Sequence, residues 1–253
     1  MANIQQNSFK AYFISDVHLG SDMEPKAFKL IEFFKTLENQ PQSKLFLVGD
    51  IFDLWIGDHK SLIKRYQKVI DSLQALLKAG IEIHYYEGNH DLHLQKYFGK
   101  QLGMKIIKDK EEFCLGTKRF RVEHGDLIDP EDKGYRFLRW FLRTPPMKAF
   151  SLYMPDKIVS KIGERASHAS RDYTSNTKIL PKETIIKKHR DHAQKVYKEM
   201  PFDYMVSGHT HVKDIYEFKT DQDTAVAINL GSWFDEPKVL QVTQDGFEFV
   251  NLG

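Results

Sequence analysis

Hydrophobic runs of strand length recur along the chain, and each ends in a cluster of polar residues. KAYFIS leads into DVHLG, KLFLVG into DIFDLW, IEIHYYE into GNHD, KRFRVE into HGD, and FDYMVS into GHTH. Between the first three runs the apolar spacing turns helical. Phe28, Ile31, Phe34 and Leu37 predict a helix over 26–38, and Leu62, Tyr66, Val69, Leu73 and Leu76 predict one over 60–79. Toward the C-terminus DIYEFKT, TAVAINL, KVLQVT and FEFVNL read as strands separated by turn residues. A β-α-β-α-β half followed by a strand-rich half predicts a layered α/β protein with two facing sheets. In open α/β sheets ligands bind at the carboxyl ends of the strands, so the five polar clusters are expected to share one edge.

Residues 134–190 break this pattern. They contain no convincing strand, and Pro145, Pro146 and Pro155 divide them into short helices. The expected organisation is a catalytic domain formed by 1–133 and 191–253, interrupted by a helical cap at 134–190. In YRFLRWFLR, Arg136, Arg139 and Arg143 share one helix face, and Phe137, Trp140 and Phe141 share another. Two readings fit: a helix lying on a membrane surface, or a helix that packs its aromatics on the body and extends its arginines into solvent.

Charge sharpens the division. The net charge is only +2, yet residues 133–190 hold 14 Lys and Arg against 4 Asp and Glu, and the remaining chain holds 23 against 31. A basic segment on an acidic body suits an anionic partner such as a membrane surface, a nucleic acid or a phosphorylated substrate. The single cysteine, Cys114, excludes an internal disulfide and favours a reducing compartment. The first residues lack the features of a signal peptide, and no apolar run approaches the roughly 20 residues of a membrane span. A cytoplasmic protein with no obligate protein partner is expected.

The chemistry lies in the clusters: Asp16 and His18, Asp50, Asn89 and His90, His124, and His209 and His211. Taken alone, GNHD is a polar turn, with Asp91 suited to start the next element. Five such clusters in sequence point instead to a dinuclear metal site. Imidazole with carboxylate oxygen suits divalent manganese, iron or zinc. Asp-X-His and His-X-His spacings put both side chains of a pair on one side of an extended segment.

DVHLG, GDIFDLW, GNHD, HGD and GHTH together resemble the calcineurin-like metallophosphoesterases over roughly residues 10–235. That resemblance implies a four-layer αββα sandwich with the cap inserted. It assigns Asp16, His18 and His211 to one metal, Asn89, His124 and His209 to the other, and Asp50 as the bridge. Two metals so placed activate a water and clamp the phosphoryl oxygens. Asp50 and His90 would serve catalysis, His90 by stabilising charge or protonating the leaving oxygen. Asp53 is expected to make a local hydrogen bond. His59, His84, His93, His168, His189 and His192 match no motif position and are expected to be structural or solvated.

GDIFDLWIGD, GNHDLHLQKYFGKQLGM, HGDLIDPEDKGYRFLR and the basic insertion further resemble the UDP-2,3-diacylglucosamine pyrophosphohydrolases of lipid A biosynthesis. This second resemblance implies cleavage to UMP and 2,3-diacylglucosamine 1-phosphate, with manganese, peripherally at the cytoplasmic face of the inner membrane. It implies substrate contacts from Asn89, His90, Asp132, Ser170, Thr174, Lys178 and His209. One position departs from that family: known members carry Arg where this chain has His90, the residue of the wider superfamily. A phosphodiesterase or nuclease with a nucleic-acid-tracking cap, or a nucleotide phosphohydrolase, is the alternative. A metal-free scaffold would have lost ligands, and all seven ligand positions are filled.

Overall fold

A computed structural model describes residues 9–162, 181–220, 223–234 and 236–252. The first half runs β1 (Lys10–Ile14), α1 (Pro25–Leu37), β2 (Ser43–Leu47), β3 (Trp55–Ile56), α2 (Lys60–Arg65), α3 (Gln67–Lys78), β4 (Glu82–Tyr86), β5 (Asp91–Leu92) and β6 (Lys105–Ile107). Then come β7 (Lys110–Leu115), β8 (Lys118–Glu123), α4 (Lys133–Leu142), α5 (Pro145–Tyr153) and α6 (Lys182–Glu199). The last strands are β9 (Tyr204–Ser207), β10 (Asp214–Lys219), β11 (Thr224–Asn229), β12 (Lys238–Thr243) and β13 (Phe247–Asn251).

Two main sheets form, ordered β13-β12-β1-β2-β4-β6 and β10-β11-β9-β8-β7. Strands β1, β2 and β4 are parallel neighbours, as are β8 and β9. Alternation along β1 shows how the layers are made. Tyr12 and Ile14 join the core under α1 and α3, whereas Ala11 and Phe13 join the core between the sheets. Ala193 and Val196 of α6 pack on Met205, Ala225 and Ala227 of the second sheet in a third core. Helix, sheet, sheet, helix is the expected αββα sandwich.

Some local expectations shift. Helix α1 buries Ala27, Leu30, Phe33, Phe34 and Leu37, so its apolar face is rotated and Phe28 is exposed beside Lys68. The predicted helix 60–79 is two helices that break at Tyr66, where ψ is 22°; its five spaced apolar residues are all buried. Pro145 opens α5 at a first-turn position, where its missing N–H costs no hydrogen bond. The boundary expected at residue 190 falls inside the continuous helix α6.

The two sheets are also tied by charge. Glu111 on β7 accepts from His84 Nδ1 at 2.9 Å, from the Tyr86 hydroxyl at 3.0 Å, and from the Lys105 ammonium, all on the first sheet. Burial alone would raise this carboxyl; the His84 and Lys105 contacts outweigh it and hold it at about 2. Its folded value thus lies below its unfolded one of about 4.3, so its stabilisation is complete above that pH and is lost as pH falls toward 2. Glu111→Gln should cost about 1–2 kcal/mol at pH 6, allowing for solvent screening. In urea unfolding, the gap to the native protein should close between pH 4 and 2; a pH-independent gap would contradict this assignment.

Candidate metal centre

Each of five strands ends at the same edge of the sandwich, and each hands its motif a sharp change of direction. Among the described non-glycine residues, six have left-handed backbone, and five of them are Asp16, His18, Asp50, His209 and His211, with φ of 52°, 49°, 54°, 70° and 58°. Such conformations cost on the order of 1 kcal/mol or more each and persist where surrounding structure enforces them. Here the motifs enforce one another. Asp50 Oδ1 accepts the backbone N–H of His90 at 2.9 Å, Asp16 Oδ2 accepts that of His209 at 2.9 Å, and His18 N–H donates to the Asp50 carbonyl at 3.0 Å. The glycines in GNHD and GHTH supply room: a Cβ on Gly88 would lie 2.1 Å from Asp50 Oδ1, and one on Gly208 2.3 Å from Asp16 Oδ2.

Three overlapping groups of ligand atoms result, each within 4.8 Å: Asp16, His18 and His211; His18, Asp50 and His90; and Asp50, His124 and His209. Asn89 joins the last group, its Oδ1 2.9 Å from His209 Nδ1 and 3.2 Å from His124 Nε2. His124 donates Nδ1–H to the Val48 carbonyl at 2.8 Å. Its Nε2 is therefore the ring nitrogen turned toward Asn89 Oδ1 and toward Asp50 Oδ2 at 3.5 Å. His18 Nε2 and His211 Nε2 face each other at 3.1 Å, with Asp16 Oδ1 3.3 Å from His211.

So many electron-pair donors in a buried space require positive charge. Without an ion the protein must supply protons. Burial opposes the charged form of His124, yet Asp50 and then Asp16 outweigh it and lift the imidazole to about 10. Burial, joined by the charge on His124, pushes His209 down to about 4. Burial likewise opposes ionisation of Asp16 and Asp50, and the surrounding imidazoles outweigh it and hold both below the usual carboxylate range. Divalent cations meet the same demand without protons, and the oxygen and imidazole donors fit borderline or hard ions.

A family match bears on this geometry. The family of calcineurin-like phosphoesterases matches residues 9–213. The chain belongs to that family. The phosphoesterase is 28% identical over 243 residues to a UDP-2,3-diacylglucosamine hydrolase of Histophilus somni strain 2336, covering 95% of this chain and 99% of the relative. It is 26% identical over 240 residues to a protein of that name from Escherichia coli O6:H1, covering 95% and 98%. An archaeal phosphodiesterase of known structure shares the fold, with a TM-score of 0.51 at 13% identity, covering 96% of this chain and 99% of that one. The phosphoesterase is thus a metal-dependent hydrolase of phosphoesters.

Other site residues fall into place unevenly. His90 sits half-buried at the edge, its Nδ1 bonded to the Asp53 carbonyl at 2.8 Å. Burial opposes protonation of its ring, but Asp50 and the Asp53 carbonyl outweigh it and raise its pKa. The Asp53 carboxylate lies 3.7 Å from His18 Nδ1. Asp132 is exposed and caps α4 by accepting from Tyr135 N–H at 2.8 Å, which accounts for an aspartate there without a substrate. Ser170, Thr174, Lys178 and His168 lie outside the described residues. His59, His84, His93 and His189 are buried, and His192 pairs with Glu123 at 2.5 Å.

Two carboxylates were not anticipated. Asp91 is no turn or helix-start residue: it is fully buried and accepts from Ile51 N–H, Phe52 N–H and the Tyr85 hydroxyl, binding the GNHD loop to the loop of Asp50. Asp126 of HGD accepts from the Tyr135 hydroxyl and from Arg139 Nε, both at 2.6 Å, and so fastens α4 across the site. The repeated Asp in GNHD and HGD was the available signal.

Gly88→Ala should displace Asp50 while leaving the cores intact. Metal content by elemental analysis should fall below half that of the native protein, and turnover by roughly 100-fold, with the metal-free melting temperature little changed. Full metal content in this variant would contradict the close approach.

Proposed function

We propose that this phosphoesterase hydrolyses the pyrophosphate of UDP-2,3-diacylglucosamine to UMP and 2,3-diacylglucosamine 1-phosphate. Relatives named UDP-2,3-diacylglucosamine hydrolase align over nearly their whole length, which supports this substrate. The observation that carries the reading is the orientation of α4. Two of the three arginines turn inward while Arg136 stays exposed: Arg139 pairs with Asp126 and Asp109, and Arg143, just past the helix, reaches Glu87 and the Gly88 carbonyl. Its aromatics turn outward. Phe137 is 64% exposed, Trp140 62% and Tyr153 of α5 87%, with Phe141 and Phe150 beside them. This reverses the reading in which aromatics pack on the body and arginines reach solvent. An apolar face this large, beside a phosphoryl-transfer edge, suits a substrate with acyl chains and a membrane that delivers it.

The same pairing weakens the nucleic-acid reading. Part of the cap's positive charge is paired among the described residues, since Lys188 also bonds Asp129 and Arg190 bonds Asp214. No described helix is long and apolar enough to cross a membrane. Peripheral attachment at the cytoplasmic face of the inner membrane is the corresponding proposal, with residues 134–190 as the inserted cap.

Within the site, Asp16, His18 and His211 would hold one divalent ion and Asn89, His124 and His209 the other, with Asp50 between them and manganese as the proposed metal. The ions would supply an activated water and neutralise charge on the phosphoryl oxygens. His90, fixed through Nδ1, has Nε2 free to donate to a phosphoryl or leaving oxygen. Asn89 and His209 would also touch the phosphate. Tyr135, whose ring lies 5.9 Å from that of His209, brings the cap to this end of the cleft. Asp132, Ser170, Thr174 and Lys178 are proposed as contacts to the sugar half.

Purified protein with Mn2+ and UDP-2,3-diacylglucosamine should release UMP. Absence of UMP with brisk turnover of simple phosphodiesters would place the protein on another branch. His90→Ala should lower kcat by about 100-fold or more with metal content retained; loss of metal would make His90 a ligand instead. Replacing Phe137, Trp140 and Phe141 with Ser should depress turnover of the diacyl substrate at least tenfold. Hydrolysis of a small soluble phosphodiester should be unchanged, and equal losses on both would contradict a lipid-facing role.

A further inference from the structure

An imidazole that serves a metal is ordinarily oriented by a hydrogen bond from its other nitrogen. His124 follows the rule through the Val48 carbonyl, and neighbouring His90 is fixed in the same way by the Asp53 carbonyl. His18 does not. Its Nδ1 is buried and has no hydrogen-bond partner among the described residues. The Asp53 carboxylate, at 3.7 Å, is beyond hydrogen-bonding range.

Phe234 is what this ring does have. The phenyl and imidazole stack nearly parallel, 17° apart with centroids 5.4 Å apart, while His90 meets His18 edge-on at 4.8 Å. Phe234 also approaches His211, at 5.8 Å between centroids. Its own position is fixed through its neighbour. Buried Trp233 donates its backbone N–H to the Asp16 carbonyl at 3.1 Å and its indole N–H to the Lys238 carbonyl at 3.0 Å. The Lys26 ammonium lies 5.0 Å from the phenyl centroid and bonds the backbone carbonyls of Val17 and His18. Phe234 remains 39% exposed and forms the outer wall of this end of the site.

We infer that Phe234 is a positioning residue for His18: ring stacking replaces the missing hydrogen bond and governs retention of the ion held by Asp16, His18 and His211. The inference rests on the two-ion reading of the centre. It makes the centre asymmetric, with His124 oriented by a hydrogen bond and His18 by aromatic packing. Packing of this kind is weaker and depends on a single exposed side chain.

Calorimetric titration of chelator-stripped protein with Mn2+ tests it, alongside the exchange-coupled manganese signal in electron paramagnetic resonance. The native protein should take up two ions. Phe234→Ala and Phe234→Leu should each weaken one of the two steps roughly tenfold, leave the other step unaltered and reduce the coupled signal, whereas Phe234→Tyr should restore both the weakened step and the signal. Unchanged melting of the metal-free variants should accompany this. Native-like binding in Phe234→Leu, or equal weakening of both steps in Phe234→Ala, overturns the positioning role while the two-ion reading stands. Uptake of fewer than two ions by the native protein overturns both.

Discussion

The buried carboxylate of Asp50 sets the terms for the rest of the molecule. Its two oxygens meet a backbone amide from one strand end and imidazoles from others. Burying such a charge is costly unless opposite charge accompanies it. The surrounding donors cannot provide that charge themselves except by protonation, and the imidazoles compete for it, as the opposite displacements of His124 and His209 show. A centre built this way is poised for cations, and a cation-filled centre is what phosphoryl transfer needs, since negative charge accumulates on the phosphoryl oxygens.

The fold supplies the force that holds this arrangement. Five left-handed residues together store strain comparable to a sizeable part of a domain's net stability, about 5–15 kcal/mol. Three separate hydrophobic cores and the clamp from Asp91 keep the strand ends from relaxing. Parallel neighbours matter here, because they bring the carboxyl ends of β1, β2 and β4 to one edge and those of β8 and β9 to the facing one. The cap is attached by ion pairs through Arg139, Arg143 and Lys188, and by Val159 and Met154, which join the core under α1 and α3, while the aromatics of α4 stay outward.

Much of this was legible in the chain. The β-rich runs marked most of the strands, and the motifs at their ends marked the edge, because strand alternation and turn residues are local signals. What escaped depended on distance. GNHD read locally as a turn, and only the packed structure shows Asp91 reaching the amides of Ile51 and Phe52, forty residues away. The face of α1 was misjudged because Leu30 and Phe33 compete with Phe28 and Ile31 for the core, and periodicity alone does not rank them. An amphipathic cap helix can be buried on either side; the carboxylates of Asp109 and Asp126 decided it by drawing the arginine inward. Phe234 carried no pattern at all, since its importance lies in the ring it covers.

An anomalous difference map, from crystals grown with Mn2+ and measured at the manganese edge, addresses the central claim most directly. Two peaks flanking the Asp50 carboxylate, one among Asp16, His18 and His211 and one among Asn89, His124 and His209, are the expected result. A single peak, or none beside an ordered Asp50, would contradict it.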